Sequence, residues 1–227
     1  LRTRGDTEVL LHLYRRHGLD MLTHLRGMFA FALYDEPGGR LILARDAFGQ
    51  KPLWYAETSD GLYFASEPQP LRAACEVDRK IDKEAIIHYL SFGYICSPLS
   101  ATRGLRRLPA GHVMDASDGA AEPRPWYRPP EPSDDAVATK ADPREVRQRV
   151  TDAVCAQSQA DVPVGVLLSG GIDSAIVAAA LSEQAGRTGG VRTFCAGFSD
   201  DEYDERALAV ATAERLGTEH TEIEVQC

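Results

Sequence analysis

The residues richest in chemistry stand together at Ser169-Gly170-Gly171-Ile172-Asp173-Ser174, inside the stretch VGVLLSGGIDSAIVAAALSE that runs from 164 to 183. An apolar run leads into them and an alanine-rich run with helical spacing leads out, so they occupy the point where a strand gives way to a helix. Two glycines there let the backbone turn sharply and approach a ligand closely. The free N–H groups and the dipole of the following helix favour an anion, phosphate above all. Ser169 and Ser174 can donate further hydrogen bonds. Asp173 is a carboxylate where anions should be repelled, and a Mg²⁺ ion bridging it to phosphate reconciles the two. No lysine follows the glycines as it would in a Walker A loop, which disfavours transfer of a γ-phosphoryl group. A nucleophile elbow fails as well, because Leu167 stands where G-x-S-x-G needs its first glycine. The plainer alternative is a helix N-cap on a glycine turn, with Asp173 only complementing the dipole.

The elements around this loop alternate. Asp142-Pro143-Arg144-Glu145 is a helix start with proline at the first position and the spacing of a capping box, and Val146, Val150 and Val154 mark an apolar stripe behind it. A buried strand (163–168), a helix (173–185), a strand (191–198), a helix (204–216) and a strand (219–225) follow, the order of a doubly wound parallel sheet whose ligands sit at the carboxyl ends of the strands. The first half reads differently. Residues 7–17 put Val9, Leu10, Leu13 and Tyr14 on one helical face, with Asp6 or Thr7 as N-cap and Gly18 as terminator. From Met28 the period shortens: MFAFALYD, RLILARD, PLWYAE and GLYFAS are strand-like runs separated by turn residues, predicting an antiparallel meander with Trp54, Tyr55, Tyr63 and Phe64 in its core. A second helix is expected over Lys83–Phe92, capped by Asp82 and stopped by Gly93. Residues 116–143 hold six of the thirteen prolines and little apolar periodicity. The domain division expected from this is 1–125, a linker at 126–142, and 143–227.

Composition narrows the class. The 227 residues are 44% hydrophobic and 26% charged, enough for a packed core, and a net charge of −9 argues against a nucleic-acid partner. Cys75, Cys96, Cys155, Cys195 and Cys227 are odd in number and lack any C-x-x-C, which suits reduced thiols in a cytoplasmic protein. No apolar run approaches the roughly 20 residues of a spanning helix, so no membrane association is expected. His112 and His220 lack metal-ligand spacing and read as packing residues. Arg45, Asp46 and Lys51 around Phe48-Gly49 read as a salt-bridged turn between strands.

Taken together, these motifs resemble a known family. S-G-G-x-D-S after a buried strand is similar to the pyrophosphate loop of the ATP-pyrophosphatase group, and Arg45-Asp46-Ala47-Phe48-Gly49-Gln50-Lys51-Pro52-Leu53 looks like the R-D-x-F-G-x-K-P-L segment of class II glutamine amidotransferases in the asparagine synthetase (glutamine-hydrolysing) family. Gly5-Asp6-Thr7-Glu8, Gly27–Ala32, Phe64-Ala65-Ser66-Glu67 and Leu108–His112 fit that family in order and spacing, as do Asp161–Gly165, Thr193-Phe194, Gly197-Phe198, Tyr203-Asp204-Glu205 and Leu216–His220. The resemblance implies an α+β Ntn-type αββα glutaminase domain, in part, followed by part of an α/β doubly wound parallel-sheet ATP-pyrophosphatase domain.

It further implies that glutamine is hydrolysed by an amino-terminal cysteine whose own amine is the base, and that ammonia amidates an aspartate activated by ATP and Mg²⁺, giving asparagine, AMP and pyrophosphate. Asp6 is implied to bind the α-amino group of glutamine. Ser169, Gly170, Gly171, Asp173 and Ser174 are implied to hold the pyrophosphate and its metal, the metal on Asp173, with Leu167 and Ala196 at the adenine and ribose contacts. Ala196 is smaller than the family's usual valine. No cysteine here matches the nucleophile and no residue matches the family's catalytic lysine, so no catalytic residue is assigned. Leu1 at the start and Cys227 just after a strand-like stretch suggest truncation at both ends. The implied partners are glutamine, aspartate and ATP, with room for a homodimer. An amide ligase of the same scaffold acting on another carboxylate, as in β-lactam synthetases, and a non-catalytic nucleotide-binding relative are the alternatives.

Overall fold

Helix α1 (Asp6–His17) takes its expected place in a computed structural model that describes residues 2–3, 5–117, 122–131, 142–186, 190–198 and 204–225. It stops where Gly18 adopts a φ of 57°, and a 3₁₀ segment, Gly18–His24, continues the chain. Its start differs from expectation: Gly5 is the N-cap and Asp6 lies in the first turn, leaving the Asp6 side chain free of capping. Glu8 ties down what precedes the helix. Its carboxylate accepts the N–H groups of Arg2 and Thr3, both at 2.6 Å, and the Thr3 hydroxyl at 2.7 Å. The Arg2 amide first, then the Thr3 hydroxyl and amide, hold the Glu8 carboxyl down to about 2 from an ordinary 4.5.

The four strand-like runs become β1 (Ala30–Asp35), β2 (Arg40–Arg45), β3 (Trp54–Thr58) and β4 (Gly61–Ala65), but not one meander. Two hairpins separate into two sheets. The first has the order β1-β2-β6-β7, where β6 is His112–Asp115 and β7 is Arg124–Pro125; the second has the order β4-β3-β5, where β5 is Arg106–Arg107. Eight residues lie between β2 and β3, too many for a tight hairpin, and the free edge of β2 is taken by β6 while that of β3 is taken by β5. Side-chain alternation then builds the layers. Ile42, Ala44 and Val113 face Met21, Leu22 and α1; Leu43 and Met114 face Tyr55 of the second sheet and Leu53 and Leu108, which flank its strands. On that sheet's far side Ala56 meets Leu71 of α2 (Pro68–Ala74). Helix, sheet, sheet and helix therefore stack in that order, the αββα arrangement. Phe64 is a correction to the expected core: it sits on edge strand β4 and is 41% exposed.

Helix α3 (Lys83–Phe92) matches its predicted bounds. Asp82 accepts the N–H groups of Glu84 and Ala85, and Gly93 closes the helix in the left-handed region. Chain contacts divide into two compact units, Leu1–Pro132 and Ser133–Cys227. Trp126, where the expected linker begins, packs against the first core and donates its indole N–H to Arg45 O at 2.9 Å. Most of that linker lies outside the described residues, as do Tyr203 and Cys227.

In the second unit Asp142 caps α4 (Pro143–Gln157) by accepting the Arg144 N–H. The other half of the expected capping box does not form, because Glu145 pairs with Arg149 one turn on. Strands β8 (Gly165–Leu167), β9 (Arg192–Phe198) and β10 (Glu219–Val225) run parallel in the order β10-β9-β8, linked by α5 (Ile172–Ala185) and α6 (Arg206–Leu216). Val166, Leu168 and Cys195 meet Ala178 of α5 and Ala209 and Ala213 of α6 in one core. Both crossover helices thus lie on one face. A doubly wound sheet needs a change of direction in strand order, and among the described residues the order runs one way only, so right-handed crossovers deliver both helices to the same side. The expected buried strand is likewise one-sided: Val166 points into the core and Leu167 is 82% exposed.

Candidate functional site

Two places collect the predicted residues, one in each unit. In the first, Asp6 opens onto a cleft of about 480 Å³ whose lining includes Met28, Phe31, Lys51, Pro52 and Ser66. The loop that brings Lys51 and Pro52 there is held by its own charged residues acting on backbone. Asp46 is fully buried; one carboxylate oxygen accepts the N–H groups of Phe48 (3.1 Å) and Gln50 (2.9 Å), the other those of Lys51 (2.9 Å) and, more distantly, Phe29 (3.4 Å). Arg45 answers from the opposite side. Its guanidinium donates to the carbonyls of Lys51 (2.7 Å), Leu108 (2.6 Å) and Gly49 (2.6 Å), and burial, with Arg107 nearby, pushes its pKa down. The expected salt-bridged turn is thus a turn in which each of two buried charges satisfies main-chain groups, so that neither charged side chain is left without partners. Gly49, at a φ of 66°, has Arg45 and Ala110 at 3.0 Å from where a side chain would begin.

In the second unit Ser169, Gly170 and Gly171 form the turn from β8 into α5, and Asp173 and Ser174 stand in the first turn of that helix. The loop is braced by serines: the Ser169 N–H donates to Ser174 Oγ (3.1 Å), the Gly171 N–H donates to Ser169 Oγ (3.2 Å), and the two hydroxyl oxygens are 3.0 Å apart. Ser174 therefore shapes the turn as well as facing any ligand. The amino end of α5 has no side-chain cap, so its helix amides stay open to an anion, and Asp173 is exposed in its first turn. An exposed carboxylate beside uncapped amides suits a hard divalent cation carried by phosphate.

Neither loop glycine has positive φ. Gly170 is required for another reason: a side chain would start 2.9 Å from Leu208 Cδ1 and 3.3 Å from Glu205 Cβ, at the start of α6. Its N–H donates to Glu205 Oε2 at 3.1 Å. Glu205 is a contact that sequence reasoning missed as part of this site, although the Tyr203-Asp204-Glu205 run was visible. Leu167 and Ala196 lie on the uncovered face of the sheet: Leu167 is paired with Phe194, and Ala196 follows two residues along the same strand face. His220 Nδ1 is 2.9 Å from Thr193 Oγ1 and His112 Nδ1 is 2.7 Å from Ala110 O. Among the described residues no group of three or more His, Cys, Asp or Glu is placed to hold a metal, and no helix is long and apolar enough to cross a membrane.

Comparison with known proteins matches two stretches of the chain to two different family models. Residues 1–127 match the family model of a glutamine amidotransferase domain and residues 145–227 that of asparagine synthase. The chain is 35% identical over 223 residues to asparagine synthetase [glutamine-hydrolyzing] 1 of Bacillus subtilis, covering 96% of this chain and 34% of the relative. It is 36% identical over 231 residues to asparagine synthetase [glutamine-hydrolyzing] 2 of Arabidopsis thaliana, covering 98% and 35%. A putative asparagine synthetase [glutamine-hydrolyzing] 2 of Methanocaldococcus jannaschii is 32% identical over 221 residues, covering 96% and 42%. The chain thus spans about a third of the length of the first two of these relatives. By residues 1–127 it belongs to the glutamine amidotransferase domain family, and from residue 145 it continues into an asparagine synthase segment.

Proposed function

We propose that this chain serves a glutamine-dependent asparagine synthetase, in which ammonia released from glutamine amidates an aspartate activated by ATP, with asparagine, AMP and pyrophosphate as products. The observation that carries the reading is the loop Ser169–Ser174 at the carboxyl end of β8, its backbone braced by two serine hydroxyls and followed by an uncapped helix start. The matches at 1–127 and 145–227 support the pairing of the two activities.

Each named residue has a role in this reading. Asp6, freed from capping, receives the substrate ammonium in the cleft beside Lys51 and Ser66. The amides at the head of α5 and the Ser169 hydroxyl bind pyrophosphate, and Gly171 leaves room for it. Asp173 holds Mg²⁺, whose charge offsets that of the phosphates. Leu167 and Ala196 offer the apolar face on which the base and ribose rest. The second unit is part of an ATP-pyrophosphatase domain that starts at about 143, a linker joins it to the first domain beyond Trp126, and the protein acts in the cytoplasm. Without a lysine after the glycines, cleavage between the α- and β-phosphates is favoured.

The test uses the protein that carries these residues, with Asp173→Asn. Pyrophosphate release should fall to background with either glutamine or ammonia as nitrogen source, while glutamine hydrolysis continues. Following ³¹P signals from ATP during turnover of the unaltered protein decides the reaction type: stoichiometric ADP and phosphate in place of AMP and pyrophosphate would sink the proposal.

A further inference from the structure

Three successive loop amides are satisfied from within the protein, and they differ in where the acceptor comes from. Ser169 and Gly171 donate to side-chain hydroxyls of the same segment, whereas Gly170 donates to Glu205, 35 residues later at the N-cap of α6. The same residue packs there as well as accepting: Glu205 Cβ and the Leu208 side chain approach Gly170 so closely that no larger residue fits without displacement. From this geometry we infer that Glu205 is a positioning residue, latching the start of α6 onto the phosphate loop so that the loop, and with it the open amides at the head of α5, is oriented before a ligand arrives. The inference rests on the reading of this loop as the pyrophosphate site.

The negative charge of Glu205 opposes an incoming pyrophosphate, so the carboxylate is not suited to bind the ligand directly. Its value is geometric. An acceptor that fixes the Gly170 amide removes backbone freedom that the ligand would otherwise have to restrict, and preorganisation of this kind strengthens binding without adding a contact to the ligand. A glutamine at 205 has the same reach and an oxygen that accepts the same N–H, but no charge. The latch predicts that glutamine replaces glutamate without loss, and that alanine does not.

The experiment compares the unaltered protein with Glu205→Gln and Glu205→Ala, using inorganic pyrophosphate with magnesium as the probe. Exchange of the Gly170 amide is measured without ligand, and pyrophosphate affinity is measured by calorimetry. Gly170 should be equally protected in the unaltered and Gln proteins and should exchange freely in the Ala protein. Affinity in the Gln protein should equal or exceed that of the unaltered one, and in the Ala protein should be weaker by roughly threefold to tenfold, the worth of one hydrogen bond. An Ala protein indistinguishable from the unaltered one in both measurements overturns the latch alone. A Gln protein as weak as the Ala protein overturns it in favour of a role for the charge, such as holding the metal. If the unaltered protein binds no pyrophosphate, the site reading fails and the latch's functional role with it, even where Gly170 protection still follows Glu205.

Discussion

Replacing Asp46 by asparagine should unfold the first unit far more readily than so small a change suggests. The side chain is fully buried and each of its two oxygens serves two backbone N–H groups, three of them at 2.9 to 3.1 Å and that of Phe29 at 3.4 Å. An amide keeps one oxygen, so it can still serve Phe48 and Gln50, but its NH₂ then faces the N–H of Lys51, donor against donor. A hydrogen bond to a charged group contributes about 1.5–3 kcal/mol and a buried donor left unmet costs about 1–3 kcal/mol, so a loss of about 3–4 kcal/mol is expected. That is a large share of the roughly 5–15 kcal/mol that holds a domain together. The two tryptophans of the sequence, Trp54 and Trp126, both pack in the first unit, so their fluorescence in urea follows that unit alone. The midpoint should fall by about 1–3 M with an unchanged slope. A loss below about 1 kcal/mol would show that the loop amides find other partners and that Asp46 does not hold Lys51 at the cleft.

Two further outcomes follow from the same unit. Asp6→Asn should raise the glutamine concentration needed for half-maximal synthesis by roughly tenfold or more, through loss of a charge-assisted bond to the substrate ammonium, while ammonia-dependent synthesis stays nearly unchanged; equal loss with both nitrogen sources would make Asp6 structural. Glu8 binds residues 2 and 3 only as a carboxylate, and its folded pKa lies below the unfolded one, so the tie is complete above about 4.5 and is lost as pH falls toward about 2. Protection of the Thr3 amide, its exchange measured against an unstructured peptide at the same pH, should be lost as pH falls across that window in the unaltered protein, and in Glu8→Ala it should be low throughout.

What the sequence determined is what neighbours along the chain decide. Asp82 and Gly93 set the ends of α3 because a cap acts within three residues and a left-handed glycine within one. Asp142 and Pro143 set the start of α4 in the same way. The turn at 169–171 was legible because a strand, two glycines and a helix start are contiguous along the chain. Tertiary structure decided everything that depended on a distant partner. The pattern of β2 and β3 is the same in one meander as in two sheets, and only pairing with β6 and β5, about 70 and about 50 residues away, separates them. A continuous apolar run marked β8 as buried but could not say that both helices cover one face and leave Leu167 on the other. Gly170 looked like a residue chosen for backbone freedom, yet its φ is ordinary and its small size answers to Leu208 and Glu205, which the fold alone brings within reach. Local signals fix elements because backbone propensity and capping act over a few residues; the close packing that selects a glycine or an acceptor acts between surfaces that meet only after the chain has folded.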